Sequence, residues 1–262
     1  MEDCIKTPVE TLMPEAAVYL LPVTMSDGDP RLVLPEYNLE IFCKIKHFVV
    51  ENKRTARRFL KKVNKSINID SLSLVELSEH TPDADIPSML EPIVSGQAVG
   101  VMSEAGCPAV ADPGAALVAL AQAENLKVIP LVGPSSILLA LMASGFSGQN
   151  FSFNGYLPID DGARRNTLLN LENLTRRNGS AQIFIETPYR NNKLLKFLTD
   201  TLRPDTLLCV ASDITDPEAE LIVTRPIAQW KKCDYDYSKK PAIFLISAPQ
   251  NFSSRNSNRK SK

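Results

Sequence analysis

Two apolar runs in this chain each end in a loop of glycine, proline and small residues that opens directly into a helical pattern. AVGVM at 98–102 leads into SEAGCPAVADPG at 103–114, and LKVIPLV at 126–132 leads into GPSSILLALMASG at 133–145. Strands that hand over to helices in this way build open α/β sheets, whose ligands bind beyond the carboxyl ends of the strands. Gly106, Gly114 and Gly133 remove side chains where a ligand would need close backbone approach, and Pro113 and Pro134 preset φ for a helix start. The two loops point to a nucleotide-like ligand. No GxGxxG follows the first apolar run and no GxxxxGKS occurs, so dinucleotide and P-loop sites have no motif support.

The same alternation extends along the chain. Strand-like runs at 16–23, 47–51, 73–77, 98–102 and 127–132 are separated by helical patterns, a rhythm that predicts a parallel or mostly parallel sheet with helices on its faces. After residue 150 the rhythm changes. Strands are predicted at 151–156, 181–186, 206–211, 220–223 and 242–247, with helices at 162–178 and 191–202. The close succession of the last strands predicts a mixed, partly antiparallel sheet. The expected organisation is an α/β domain over 1–132, a second α/β domain over 133–247, and a tail over 248–262 that carries Arg255, Arg259, Lys260 and Lys262 with no acid and is expected to be disordered.

Composition narrows the function classes. A chain of 262 residues with 44% apolar side chains can bury a sizeable core. Its net charge of −1 is not that of a body that holds nucleic acid by bulk electrostatics, so any nucleic-acid contact must be local. The 5 cysteines are scattered without a CxxC pair and the 2 histidines form no cluster, which suggests neither a disulfide framework nor a metal site. No basic leader followed by an apolar run, and no stretch near the roughly 18 apolar residues of a membrane span, is present, so a cytoplasmic protein is expected.

Several positions carry two readings. Lys53, Arg54, Arg57, Arg58, Lys61, Lys62 and Lys65 form a dense basic run on a predicted helix, with Arg54, Arg58, Lys61 and Lys65 on one face; it is either a solvated face or a phosphate-binding stripe. Asp112, ahead of Pro113 and a helix, is expected to cap free backbone amides. Ser135 and Ser136 stand where helix-start amides either are capped or meet polar ligand groups. Cys107 has no histidine or cation beside it in sequence and reads as a small wall residue.

SEAGCP with DPG, and GPSS, resemble the SDAGTPxxSDPG and PGPSA motifs of the tetrapyrrole methylase superfamily, specifically its branch that methylates the ribose 2'-oxygen of ribosomal RNA. The resemblance continues in VYLL at 18–21, FSFNGYLP at 151–158, IFIETPYR at 183–190, ASDIT at 211–215 and KPAIFLIS at 240–247. Two loops depart from the family pattern: Val23-Thr24-Met25-Ser26-Asp27-Gly28-Asp29 stands for TPIGNLxD, and Glu51-Asn52-Lys53-Arg54 for the Glu-Asp-Thr-Arg motif.

The resemblance implies a two-domain fold with S-adenosylmethionine in the interdomain cleft, held by Met25, Cys107, Val110, Ser136, Ile137, Glu186, Pro241 and Ala242. It implies a homodimer; methyl transfer from a sulfonium is an in-line displacement that needs no metal and in which alignment dominates. A ribose hydroxyl gains from a positioned proton acceptor, for which Glu51, Glu104 and Glu186 are the candidates, while Arg54 and Arg190 would orient the acceptor or its phosphate. Arg57 and Arg58 are the expected RNA contacts. Two alternatives stay open: a methylase of a small molecule such as a tetrapyrrole, and a cofactor-binding regulator that has lost catalysis.

Overall fold

In the computed structural model, which describes residues 13–249, the chain divides into two units, Met1–Ser135 and Ser136–Lys262. The basic residues expected in the tail lie outside the described residues.

The first unit runs β1 (Val18–Leu20), α1 (Glu36–Lys44), β2 (His47–Val50), α2 (Lys53–Val63), β3 (Ser73–Glu76), α3 (Glu91–Val94), β4 (Val99–Met102), α4 (Gly114–Ala123) and β5 (Val128–Pro130). Its sheet has the order β3-β2-β4-β1-β5 and is parallel throughout. Parallel strands covered on both faces need apolar residues at every position, and β4, VGVM, is buried along its whole length. Alternation divides the strands between two cores. Tyr19, Phe48 and Val50 pack with Ile41, Phe42, Phe59 and Leu60 of α1 and α2, whereas Val18, Val49, Val99 and Val101 pack with Leu117 and Ala121 of α4 and with Ile86, Met89 and Leu90.

α2 is opened by Asn52, whose Oδ1 accepts from the backbone N–H of Arg54 at 2.9 Å and of Thr55 at 3.3 Å. It buries Ala56, Phe59, Leu60 and Val63 and exposes the charged positions between them. The helix ends at Val63, so Lys65 lies beyond it and is not part of a helical stripe. Lys61 is turned onto that exit, donating to the carbonyls of Lys65 at 3.0 Å and Ile67 at 2.7 Å. Pro113 leads directly into α4 in helical backbone conformation, whereas α5 starts two residues after Pro134.

The second unit runs α5 (Ser136–Ser144), β6 (Phe151–Tyr156), α6 (Asp161–Asn178), β7 (Ala181–Ile185), α7 (Asn191–Thr201), β8 (Leu207–Ser212), β9 (Leu221–Pro226), α8 (Ile227–Trp230) and β10 (Ala242–Ser247). Its sheet has the order β6-β7-β10-β8-β9, parallel only between β6 and β7. Phe184 and Phe244 are paired across β7 and β10 with centroids 6.1 Å apart, in a core that α6 and α7 complete with Leu168, Leu171, Leu194 and Leu198. α5 packs against β9 and β10. Among the described residues no helix is long and apolar enough to cross a membrane.

Candidate active site

At the carboxyl end of the first sheet three loops are locked together. The loop after β1 joins the loop after β4 where the Val23 N–H donates to the Gly106 carbonyl at 2.9 Å. The loop after β4 reaches the loop after β5 through Cys107, whose Sγ lies 3.3 Å from the Pro134 carbonyl and donates to it. The loop after β5 closes on the first at Gly133, where a Cβ would stand 2.1 Å from Cβ of Pro22. Only glycine permits that approach.

Within this frame Met25 packs beside Gly106, in reach of the Cβ a side chain there would add, and Val110 is exposed. Ala109 and Ala111, on either side of Val110, both have left-handed backbone, φ 65° and 59°. For residues with a Cβ this costs roughly 1–2 kcal/mol each. The turn they make brings the N–H groups of Ala109, Val110 and Gly114 to the Asp112 carboxylate, with Gly114 N at 2.7 Å from Oδ1. Asp112 therefore caps, and its Oδ2 is buried without a hydrogen-bond partner. Burial pushes its carboxyl up against those donors.

Glu51 follows β2 and lies in the same small cavity as Asp112, with Ser103, Met102 and Gly114, of about 10 Å³, room for about one water molecule. Its Oε2 accepts the backbone N–H of Glu104 at 3.0 Å. Burial raises its pKa; the Glu104 N–H opposes this, and the carboxylates of Glu104 and Asp112 add to it. Glu104 itself accepts from Thr55 Oγ1 at 3.3 Å. The structure thus brings Glu51 and Glu104 together and adds Asp112 and Thr55. Asp112 lies 61 positions beyond Glu51 in the chain, and Thr55 is a helix residue with no motif of its own, so nothing local in the sequence marks this grouping. Arg54 is exposed, and among the described residues its guanidinium bonds to neither Glu51 nor Glu104.

In the second unit Glu186 is buried just past β7. Its Oε1 accepts the Thr187 N–H at 2.7 Å and Arg190 Nε at 2.9 Å, with Arg190 Nη2 at 2.7 Å. Glu186 and Arg190 thus occupy one another. The Pro241 carbonyl accepts the Asp213 N–H at 3.0 Å, and Ala242 stands opposite Ser212 in the β8–β10 register. Ser212 is wholly buried, and the neighbouring Asp213 Oδ2 stands 3.9 Å from Lys240 Nζ. Ser136 is the first residue of α5, followed by half-buried Ile137. The buried Ser212 Oγ, without a hydrogen-bond partner among the described residues and beside apolar Ala242, suits a ligand with a polar edge and a flat apolar face. Burial pushes the Cys107 thiol up, as befits a wall residue and not a nucleophile.

Other charges lie elsewhere. Arg57 and Arg58 are exposed on α2; Arg58 stands 3.8 Å from Asp27, while Lys62 takes the same carboxylate at 2.7 Å. Two cavities of the first unit lie between α1 and the end of α2, about 470 Å³, and at the amino ends of β2 and β4, about 290 Å³, where His47 meets Gln97. Neither is at the strand ends that carry the carboxylates. No group of three or more His, Cys, Asp or Glu among the described residues is placed to hold a metal ion.

A parallel α/β unit with interlocked loops at its strand ends, joined in sequence to a mixed α/β unit, is a tetrapyrrole methylase-like fold. In fold it is similar to the crystal structure of the methyltransferase CobJ, with a TM-score of 0.59 at 18% identity over 88% of this chain and 94% of that one. In sequence it is similar to proteins named ribosomal RNA small subunit methyltransferase I. The Vibrio cholerae protein is 28% identical over 233 residues, 87% of this chain and 76% of the relative, and the Xylella fastidiosa protein is 32% identical over 142 residues, 54% of this chain and 50% of the relative. The chain therefore spans about three quarters of one relative and half of the other. No protein-family model matches the chain.

Proposed function

We propose that this protein is an S-adenosylmethionine-dependent methyltransferase acting on ribosomal RNA of the small subunit at a ribose 2'-hydroxyl. The observation that carries it is the half-buried Glu51, held by the Glu104 N–H beside three interlocked strand-end loops, in a chain similar to proteins named ribosomal RNA small subunit methyltransferase I.

When bound, S-adenosylmethionine supplies an activated methyl group on a cationic sulfur. Met25, Cys107 and Val110 of the first unit and Ser136, Ile137, Glu186, Pro241 and Ala242 of the second are the residues proposed to hold it. Met25, Val110, Ile137, Pro241 and Ala242 of this set are apolar, which suits the adenosine portion. Glu51 acts as proton acceptor for the ribose hydroxyl: Oε2 is fixed by Glu104 N–H, and Oε1 has no hydrogen bond among the described residues. Its raised pKa makes it a stronger base than an exposed glutamate. Glu104 fixes Glu51 through its backbone. Arg190 holds the Glu186 carboxylate and the turn at 187–190, and Arg54, unengaged at the start of α2, orients the acceptor phosphate. Arg57 and Arg58 extend the phosphate contacts, and the site of action is the cytoplasm.

Transfer of labelled methyl groups to undermethylated small subunits, with isolated RNA and cell extract as parallel acceptors, tests the acceptor class. Label in a small-molecule fraction and none in RNA would replace ribosomal RNA by a small acceptor, and no transfer to any fraction would favour a regulator. Calorimetry is expected to give heat with S-adenosylmethionine and its demethylated product and none with NAD. Ile137→Trp should abolish that heat while leaving the melting temperature close to the parent's, because the indole fills the proposed adenosine position.

The active form is proposed to be a homodimer. Leu138 and Met142, one turn apart on α5, are 52% and 78% exposed and offer an apolar strip for a second copy. Light scattering should return twice the chain mass; a monomer mass at every concentration would exclude it.

A further inference from the structure

Three large side chains stand in solvent where the second sheet's two parallel strands end. Tyr156 closes β6 at 59% exposure, Ile159 follows at 73%, and Tyr189 lies in the turn after β7 at 79%. Tyr156 pairs in register with Ile185, so the chain leaves β6 and β7 side by side. Exposing apolar surface on a mobile loop costs little, but neither segment here is free to move. Arg164, 4% exposed, stacks over Phe197 and grips the loop after β6 from below, donating to the carbonyls of Pro158 at 2.8 Å and Ile159 at 2.7 Å. The turn after β7 is fixed by the Glu186–Arg190 pair, by Arg190 Nε on Thr187 Oγ1 at 3.0 Å, and by the Lys239 N–H on the Pro188 carbonyl at 3.0 Å. Two rigid supports thus hold aromatic rings outward.

The flanking segments carry three exposed cations beside two carboxylates, Asp160 and Asp236, that accept hydrogen bonds from neutral groups. Asp160 is spent capping the Ala163 N–H at 2.8 Å, Asp161 pairs with Arg164 at 3.1 Å, and Glu186 is taken by Arg190. Arg165, Lys193 and Lys239, on the flanking segments, are exposed. Aromatic faces on fixed turns, flanked by cations that make no ion pair among the described residues, match an unstacked nucleobase followed by its phosphate.

We propose that Tyr156, Ile159 and Tyr189 form a stacking platform for an unpaired base of the RNA acceptor, with Arg165, Lys193 and Lys239 attending the backbone. It rests on ribosomal RNA being the acceptor. Stacking holds a base in place without reading its edge, so the platform positions single-stranded RNA and leaves duplex RNA unbound.

The test measures binding of a short unstructured oligoribonucleotide, and of isolated small-subunit RNA, to the full chain and to Tyr189→Ala, Tyr189→Phe, Tyr156→Ala and Ile159→Ala. Each tyrosine-to-alanine change should weaken the oligonucleotide by about tenfold, and Tyr189→Phe should bind as the parent does, because the ring and not the hydroxyl carries the contact. The dependence of log affinity on log salt should keep its slope, since no phosphate contact is removed. Cofactor heat and melting temperature should stay at parental values. Alanine variants that bind as the parent does, or whose loss comes with a halved molecular mass, would overturn the platform, the second outcome assigning the patch to contact between copies. A parent that binds no RNA removes platform and acceptor together, whereas a parent that methylates RNA alongside unaffected variants removes the platform alone.

Discussion

Glu51→Gln is expected to lower methyl transfer by about 10²- to 10⁴-fold and, at neutral pH, to raise the melting temperature. The amide keeps an oxygen for the Glu104 N–H at 3.0 Å, so geometry survives while the proton acceptor is lost. The stability gain follows from the direction of the pKa shift. Burial raises the Glu51 carboxyl above its unfolded value, with the Glu104 and Asp112 charges adding to it. A group whose folded pKa is raised contributes stability that is present at low pH and lost as pH rises through that value. At neutral pH the ionised carboxylate is therefore a cost to the fold, which glutamine removes. The difference in melting temperature between variant and parent should shrink on acidification. Parental turnover should rise with pH through the raised pKa and then level, and the variant's residual rate should lack that rise. Asp112→Asn, which removes a neighbouring charge, should move the parental rise to lower pH. Equal turnover of Glu51→Gln and parent across the pH range would falsify the assignment of Glu51 as base.

What could be read along the chain and what could not divides by the range of the interaction. The VGVM run of β4 announces a strand buried on both faces because every residue is apolar, and the Asp112–Gly114 cap is visible because donor and acceptor lie two residues apart. The order β6-β7-β10-β8-β9 has no such local mark, since β10 inserts between strands far earlier in the chain. The same holds for Glu51 beside Asp112. Their shared cavity follows from β2 and β4 being neighbours in the sheet, which a strand-by-strand reading does not supply.

Periodicity also misleads at element ends. It extends the basic face to Lys65, but Asn64 stops α2, and Lys61 turns back to satisfy two carbonyls of the exit. Glu186 and Arg190, four apart, are the spacing of an ion pair. The motif assigns each a separate chemical role, yet the short turn at 188–190 folds them onto one another. The rigidity of the two tyrosine-bearing turns is equally silent in sequence, because Arg164 looks like any surface arginine of an amphipathic helix until its partners, the carbonyls of Pro158 and Ile159, are seen.

Reversing Arg57 and Arg58 together to Glu is expected to weaken binding of small-subunit RNA by about a hundredfold or more at low salt, with cofactor affinity unchanged. Within the basic run the structure leaves these two available, as it does Lys53 and Arg54 at the start of α2. Lys61 is spent on backbone carbonyls, and Lys62 on Asp27, whose carboxyl it holds below the usual range. Arg58 touches the same aspartate only at 3.8 Å, and Arg57 makes no ion pair or hydrogen bond among the described residues. With a net charge of −1, the chain has to offer nucleic acid a local patch of this kind. Each phosphate contact releases counterions, so losing two should flatten the plot of log affinity against log salt by about two units. The deficit relative to the parent should then shrink by about tenfold between 50 and 200 mM salt. This salt signature separates α2 from the tyrosine platform, where affinity should fall and the slope should hold. A double variant that binds and methylates small subunits as the parent does at every salt concentration would return α2 to a solvated face.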